Sequence, residues 1–183
     1  MAQADLATGE GEARRVVAGW FDRHVDAIHA YVCRRAGEQI ARDVTAETFR
    51  VALEDFDRFD PARGHERAWL YGIASNLLRR HWRTECRLRH SQQRSIRGES
   101  GPSDPYVVVD ARLDARHDVE RVLAAVEQLD EEDRDLLFLV VWEQLSSAEV
   151  AVALGIPAGT VRSRLKRIRA RLRGQARSSA WMS

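Results

Sequence analysis

Two clusters of basic residues are the first feature of this sequence with an evident chemistry. Residues 61–98 carry nine arginines and two acids, and residues 160–183 carry eight basic residues and no acid. The remaining segments are acidic, so the formal net charge of the 183-residue chain is only +1. Concentrated positive charge attracts a polyanion, because neutralised phosphates supply most sequence-independent affinity for nucleic acid. The pattern predicts two nucleic-acid contacts, although two solvated basic helix faces would give the same charge pattern.

The segment from Leu145 to Arg162 has the signals of a helix-turn-helix. Ser146 and Glu149 form the Ser-x-x-Glu pattern of a capping box, which begins a helix. Gly155 stands where that helix must end in a left-handed residue. Pro157 suits the beginning of the next helix, because its missing N–H is not needed there. Two helices joined by such a turn form the motif that places its second helix in the DNA major groove.

The second helix of this motif separates apolar from basic residues. On a helical wheel one side is apolar and is predicted to pack inward: Val161, Leu165, Ile168 and Leu172. Two basic stripes flank that side, one made of Arg162, Lys166, Arg169 and Arg173, the other of Arg164, Arg167 and Arg171. The small residues Ser163 and Ala170 lie between the stripes. A helix of this kind can enter the major groove between two rows of phosphates.

The first half of the chain is predicted to form three helices. One apolar stripe at helical spacing marks the first: Phe21, Val25, Ile28 and Val32. The second helix is predicted over about 40–56 and the third over about 68–89. Pro61 and Gly64 break the pattern between them, which predicts a loop over 57–67.

A polar stretch separates the two halves. Residues 91–105 contain almost nothing to bury, which is typical of a flexible linker, and the short run Val107–Val109 follows. Helical spacing then returns in Val119, Val122, Leu123, Val126 and Leu129. The acids of 130–133 suit the first turn of another helix, whose predicted core face is Leu136, Leu137, Val140 and Val141. No alternating apolar run predicts a strand.

Several function classes are disfavoured. No apolar run reaches the ~18 residues that span a bilayer, and no signal peptide is visible at the N-terminus, so we expect a cytoplasmic protein without membrane insertion. Cys33 and Cys86 lack metal-ligand spacing and are interpreted as reduced thiols. The six histidines are scattered, and there is no phosphate loop or catalytic triad pattern. We therefore expect no enzyme, no catalytic residue, no metal and no cofactor.

Stretches in both halves of the chain then carry a resemblance to a known family. Leu129 to Arg134, Ala148 to Gly155 and Gly159 to Leu165 resemble region 4 of the sigma-70 family, in its extracytoplasmic-function (ECF, group IV) branch. Residues 43–49 (Asp-Val-Thr-Ala-Glu-Thr-Phe) and 69–76 (Trp-Leu-Tyr-Gly-Ile-Ala-Ser-Asn), followed by Arg79 and Arg80, resemble region 2 of that family. Ala46 and Arg42 depart from it, standing where a Gln and an acidic residue are usual.

The resemblance implies an all-α fold with two small helical domains. Region 2, a helical bundle, is expected over 13–91, a flexible linker over 92–111, and the region 4 helix-turn-helix over 112–175. The implied function is a sigma factor that binds core RNA polymerase and directs transcription initiation at −10 and −35 promoter elements. A stand-alone helix-turn-helix regulator with an N-terminal sensor domain is the alternative.

The resemblance also implies three sets of site residues. The set for the −35 element is Gly159, Thr160, Arg162, Ser163, Lys166 and Arg167. The set for the −10 element is Arg63, His65, Asn76, Arg79, Arg80 and Arg83. The set for the polymerase is Asp43, Glu47, Phe49 and Arg50. The implied partners are promoter DNA, the clamp helices of the largest polymerase subunit, the flap of the second subunit and an anti-sigma factor, with the chain at the nucleoid when it is bound to polymerase.

Overall fold

The chain divides into two compact units, Met1–Val107 and Val108–Ser183. The computed structural model describes the backbone of residues 2–95 and 124–177 and the side chains of residues 10–87 and 124–174. These residues form helices, turns and no strand, which confirms the all-α prediction for the part of the chain that is described. The run Val107–Val109, most of the predicted linker and the residues from Val119 to Leu123 lie outside it.

The described residues of the first unit form three long helices and one short turn of 3₁₀ helix. Helix α1 spans Ala2–Ala36, α2 spans Glu38–Glu54, the 3₁₀ turn spans Phe56–Arg58, and α3 spans Glu66–Ser95. Gly37, with a φ of 81°, makes the sharp turn between α1 and α2, a conformation that glycine adopts at no steric cost. Helix α3 is longer than predicted, and its last turn extends into the segment expected to be linker.

The core of the first unit is formed by α1, α2 and α3 together. Ile28, Val32 and Leu70 are fully buried. Tyr31 is also buried, and its hydroxyl group lies 2.9 Å from Ser75 Oγ, so its polar end is satisfied inside the core. One residue of the predicted apolar stripe is placed differently, because Phe21 is 45% exposed, with its ring 4.9 Å from that of Phe49.

The second unit contains three complete helices within its described residues. Residues 124–127 are helical, and α4 (Glu131–Val141), α5 (Ser147–Leu154) and α6 (Ala158–Arg177) follow. The predicted helix boundaries in the motif are confirmed: Ser146 and Glu149 form a capping box, and Gly155 ends α5 in the left-handed conformation with a φ of 65°. One predicted core residue is wrong, since Val141 is 53% exposed at the end of α4 and Leu139 is buried instead.

A buried arginine joins α4 to the segment before it. Arg134 is 7% exposed and donates hydrogen bonds of 2.9 Å to the carbonyl oxygens of Glu127 and Leu129. These carbonyls stand where the preceding helical segment ends and would otherwise lack partners. Arg134 therefore ties the beginning of α4 to the end of the preceding helical segment. Across the described ranges, no helix is long and apolar enough to cross a membrane.

Candidate nucleic-acid and polymerase interface

Helix α6 buries the face that the sequence predicts. Val161, Leu165 and Ile168 are 0%, 6% and 1% exposed, and Leu172 is half-buried. Contacts of α6 with α4 and α5 bury this apolar face. The opposite face of α6 is left to solvent, with Ser163, Lys166 and Ala170 exposed. The orientation required for a groove-binding helix is therefore present.

The beginning of α6 presents small and polar groups. Gly159 is exposed in the first turn, Thr160 is half-buried, and Ser163 Oγ donates a 3.0 Å hydrogen bond to the Thr160 carbonyl. Arg162 and Lys166 are exposed, and neither has a hydrogen bond or ion pair with the described side chains around it. A helix N-terminus with exposed N–H groups and neighbouring bases suits a phosphate.

The second basic stripe of α6 is placed differently, because all three of its arginines contact α4 or the turn before it. Arg164 Nη1 lies 2.6 Å from Glu132 Oε2, and Arg167 Nη2 lies 2.7 Å from Asp133 Oδ2. Arg171 donates a 3.0 Å hydrogen bond to the carbonyl of Gln128. The hydrogen bond to Glu132 is the main cause that raises the pKa of Arg164. The two stripes of one helix therefore differ in their partners.

In the first unit, the loop between α2 and α3 is fixed by aromatic rings. The ring of Phe59 packs edge-on against Trp20 at 4.8 Å between centroids and lies 5.3 Å from Trp69. Asp60 Oδ1 accepts a 2.9 Å hydrogen bond from the Ala62 N–H, which closes a tight turn. The predicted −10 residues Arg63 and His65 follow this turn, and both are exposed.

The other residues predicted for the −10 element lie along α3. Asn76 is exposed, and its Oδ1 accepts a 2.7 Å hydrogen bond from Arg79 Nη2. Arg80 and Arg83 are exposed within the next two turns. Asn76 stands ten residues after Glu66, the first residue of α3, so about 15 Å of helix axis separates it from the end of the loop. The loop and the α3 residues therefore form two parts of a surface rather than one pocket.

The residues predicted to bind polymerase all lie on α2, and one of the four is buried. Asp43 and Arg50 are exposed, and Glu47 is partly exposed. Arg50 is paired with Glu47 at 2.7 Å and with Glu54. Phe49 was expected to offer an apolar anchor, but it is 7% exposed and packs edge-on against Phe21 at 4.9 Å. Its ring belongs to the core of the unit, because α1 covers that side of α2, and the solvent-facing ring is Phe21.

An open cleft brings the α2 acids close to the α3 bases. The cleft has a volume of ≈ 420 Å³ and is lined by Asp43, Val44, Glu47, Leu77, Arg80, His81 and Thr84. The pKa of Glu47 is lowered, chiefly by its hydrogen bond with Arg50 and in smaller part by the charges of Arg50 and Arg80. One side of the cleft thus carries two predicted polymerase contacts, and the other carries a predicted −10 contact.

Comparison with known proteins decides the family. Sigma-70 region 2 matches residues 20–87, and sigma-70 region 4 matches residues 119–172. RNA polymerase sigma factor HrpL of Pseudomonas syringae pv. syringae is 32% identical over 139 residues, which make up 73% of this chain and 71% of HrpL. This chain belongs to the sigma-70 family. Its ECF branch is indicated by ECF RNA polymerase sigma factor SigC of Mycobacterium tuberculosis (strain CDC 1551 / Oshkosh), which is 35% identical over 133 residues and 70% of this chain.

Solved structures agree with a sigma-family fold. The complex of CnrH with the cytosolic domain of CnrY matches with a TM-score of 0.60 and 26% identity, over 94% of each chain. The sigma factor RpoE of Bartonella quintana, in complex with the anti-sigma factor NepR, matches with a TM-score of 0.58 and 22% identity, over 87% of this chain and 96% of RpoE. The chain spans 64–66% of the length of the mycobacterial relatives SigC and SigE.

Some residues that build the sigma-family surface were not singled out in the sequence. Asp133 was assigned only to a helix first turn, yet its buried carboxylate holds Arg167. Trp20 and Phe59 were not selected, although they fix the loop of the first unit. For Asp133 no local signal exists, because its partner is 34 residues away. For Phe59 an aromatic residue inside a polar loop was the available signal.

Proposed function

We propose that this chain is a sigma factor that binds core RNA polymerase and directs transcription initiation at promoters with −10 and −35 elements. The observation that carries the proposal is the presence of both sigma-70 regions on one chain, each with an exposed basic surface. A stand-alone regulator would need only the second of these regions. On this proposal the chain acts in the cytoplasm, associates with the nucleoid through polymerase, and is a specificity subunit rather than a catalyst.

The second unit, proposed to span 112–175, would recognise the −35 element as duplex DNA. Arg162 and Lys166 are exposed and have no described partner, so they can contact phosphates or base edges in the major groove. Gly159, Thr160 and Ser163 would bring the beginning of α6 to a phosphate. Arg167 offers the donors of its guanidinium that Asp133 does not use.

The first unit, proposed to span 13–91, would bind the −10 element as separated strands. The loop with Arg63 and His65 would supply hydrogen-bond groups for one base outside the stack, and the amide of Asn76, further along α3, would contact a different nucleotide. Arg79, Arg80 and Arg83 would follow the backbone of a single strand, as an electrostatic groove does. The linker proposed over 92–111 would allow the two units to reach both elements.

Three protein partners go with this function. Asp43, Glu47 and Arg50 on α2 present mixed charge for the clamp helices of the largest polymerase subunit, with Phe49 supporting that helix from the core. The second unit would meet the flap of the second subunit. An anti-sigma factor is the third partner, because a sigma factor with the same fold was solved with one.

Run-off transcription tests the proposal most directly. Purified core RNA polymerase would transcribe a genomic fragment library with and without the full chain, and the new start sites would be mapped. New transcripts that share two short upstream elements are expected. Absence of core binding and of new starts, with retained binding to duplex DNA, would favour the stand-alone regulator.

A pair of arginine variants tests the −35 assignment, by equilibrium binding of the assembled holoenzyme to a promoter found in that assay. Arg162→Ala removes an exposed guanidinium from the first turns of α6, and we expect a loss of promoter binding of about 1–3 kcal/mol if it contacts a base. Arg14→Ala removes an exposed guanidinium from α1, which belongs to neither set of predicted DNA contacts, and is expected to leave binding unchanged. Equal losses in the two variants would contradict the assignment of α6 to DNA.

A further inference from the structure

We propose that Asp133 is a positioning residue for −35 recognition: from α4 it holds the guanidinium of Arg167 so that this side chain contacts one base pair rather than the nearest phosphate. The inference rests on the proposed function, because it assigns a base contact within the proposed −35 surface. It adds a residue that lies outside α6 and touches no DNA itself.

The two ends of the Asp133–Arg167 pair have very different surroundings. The side chain of Asp133 is 6% exposed, whereas that of Arg167 is 65% exposed, and the Nη2–Oδ2 distance is 2.7 Å. One end of the pair is therefore fixed within the protein and the other projects into solvent. A guanidinium carries five N–H donors in a planar fork, so a contact through Nη2 leaves further donors for a ligand.

The carboxylate of Asp133 is itself held in place. Asp133 lies in the first turn of α4, where its backbone N–H donates a 2.7 Å hydrogen bond to the capping side chain of Asp130. The next two residues of the helix, Arg134 and Asp135, are buried, so this turn cannot shift without disturbing the core. Oδ1 of Asp133 is buried and accepts no hydrogen bond among the described residues, and Arg164 Nη1 is 3.9 Å away. Two arginines thus share one rigid anion.

A held arginine and a free arginine recognise DNA differently. A free guanidinium at this position would reach any nearby phosphate, and phosphate contacts carry no sequence information. A guanidinium already fixed in direction loses less conformational entropy on binding and fits a planar acceptor pair, such as the O6 and N7 atoms of guanine. Arg167 lies in the third turn of α6, four residues after Ser163 and on the same exposed side of the helix.

Promoter binding by the reconstituted holoenzyme tests this assignment. The wild-type full chain, Asp133→Asn, Arg167→Ala and the double variant would each be assembled with core polymerase. Equilibrium binding would be measured on a promoter found by run-off transcription and on copies in which one −35 base pair at a time is replaced. The quantity compared is the ratio of affinities for the original and the replaced base pair, together with the dependence of binding on salt.

We expect each single variant to reduce that ratio about tenfold at the same base pair, which is within the range of one bidentate base contact. The double variant is expected to fall no further than Arg167→Ala, because Asp133 acts only through Arg167. Asp133→Asn should also steepen the slope of the logarithm of the binding constant against the logarithm of the salt concentration by about one. The reason is that the released guanidinium then binds one additional backbone phosphate.

Glu132→Gln is the matched control, because Glu132 is the exposed acid next to Asp133 and pairs with Arg164 instead. It should leave the ratio unchanged at every base pair. An unchanged ratio in Asp133→Asn would overturn the inference. So would an equal weakening on all DNAs that persists in the Arg167→Ala background, since that is the effect of a purely structural residue. If the wild type prefers no −35 base pair at all, the proposed function fails instead.

Discussion

The two units hold their DNA-facing segments by different physical means. In the first unit, the loop between α2 and α3 is anchored by rings, with Phe59 packed between Trp20 and Trp69. In the second unit, α6 has an apolar face beneath it and ion pairs beside it, from Arg164 to Glu132 and from Arg167 to Asp133. Burial of rings is little affected by ionic strength, whereas partly exposed ion pairs are screened by salt. The presentation of the two surfaces should therefore respond differently to salt.

The difference in anchoring matches the backbone structure of the two segments. A loop without regular hydrogen bonding needs a deeply buried anchor to keep one conformation. A helix already has its backbone satisfied, so its side chains alone need to be oriented, and charged neighbours suffice for that. The variants below remove one support at a time from each unit.

Trp20→Ala should have the largest effect. Trp20 is 4% exposed and contacts Phe56, Phe59 and Trp69, so its loss is expected to cost about 3–5 kcal/mol of unfolding free energy. Urea unfolding followed by circular dichroism would measure this loss, which should be the same at low and high salt. Amide hydrogen exchange in the loop should accelerate at the same time.

Trp142→Ala is the control for that variant. Trp142 is 46% exposed and stacks on Phe138 in the second unit, so only about 1 kcal/mol is expected from the lost ring contact. A loss as large as that of Trp20→Ala would mean that ring burial does not distinguish the two units.

Leu165→Ala should be next, with a cost of about 2–5 kcal/mol. Leu165 is 6% exposed in the face that α6 buries, so alanine leaves a cavity under the recognition helix. Leu172→Ala, two positions further along the same face and only half-buried, should cost clearly less. Thermal unfolding of the full chain would rank the two variants, and an unchanged melting curve for Leu165→Ala would contradict the orientation of α6.

Ser146→Ala is expected to cost about 1 kcal/mol, the usual effect of losing an N-cap. Ser146 accepts from the Glu149 N–H at 3.2 Å, and Glu149 accepts from the Ser146 N–H at 2.8 Å. Ser147→Ala changes the adjacent serine, which makes no cap, and should stay within about 0.5 kcal/mol of wild type. Equal effects at the two serines in urea unfolding would show that the capping box contributes nothing.

Local signals made much of the second unit predictable. The capping box, Gly155 and the apolar face of α6 each depend on residues a few positions apart, and all are confirmed. What failed depended on distant contacts. Phe21 and Val141 fit an apolar stripe, yet in the described part of the chain they are 45% and 53% exposed. Phe49 looked available to a partner, but α1 lies over it.

The DNA-facing side of α6 was likewise predictable only as far as local signals reach. The wheel correctly separated two basic stripes on α6, but it treated them as equivalent. Only the position of α4 distinguishes them, since Glu132 and Asp133 meet one stripe and not the other. The roles of the site residues in polymerase and DNA binding stay predictions.

Glu132→Gln should have the smallest effect on the free energy of unfolding. Its salt dependence tests most directly whether charge supports α6. Glu132 is 58% exposed and pairs with Arg164 at 2.6 Å, so the neutral amide should cost less than about 1 kcal/mol. Because the pair is screened, the difference from wild type in urea unfolding should shrink towards zero as salt rises to about 1 M. Glu127→Gln, an exposed acid in the preceding helical segment with no described ion pair, should show no difference at any salt concentration. A loss in Glu132→Gln that is independent of salt would contradict the idea that charge supports α6 beside its apolar face.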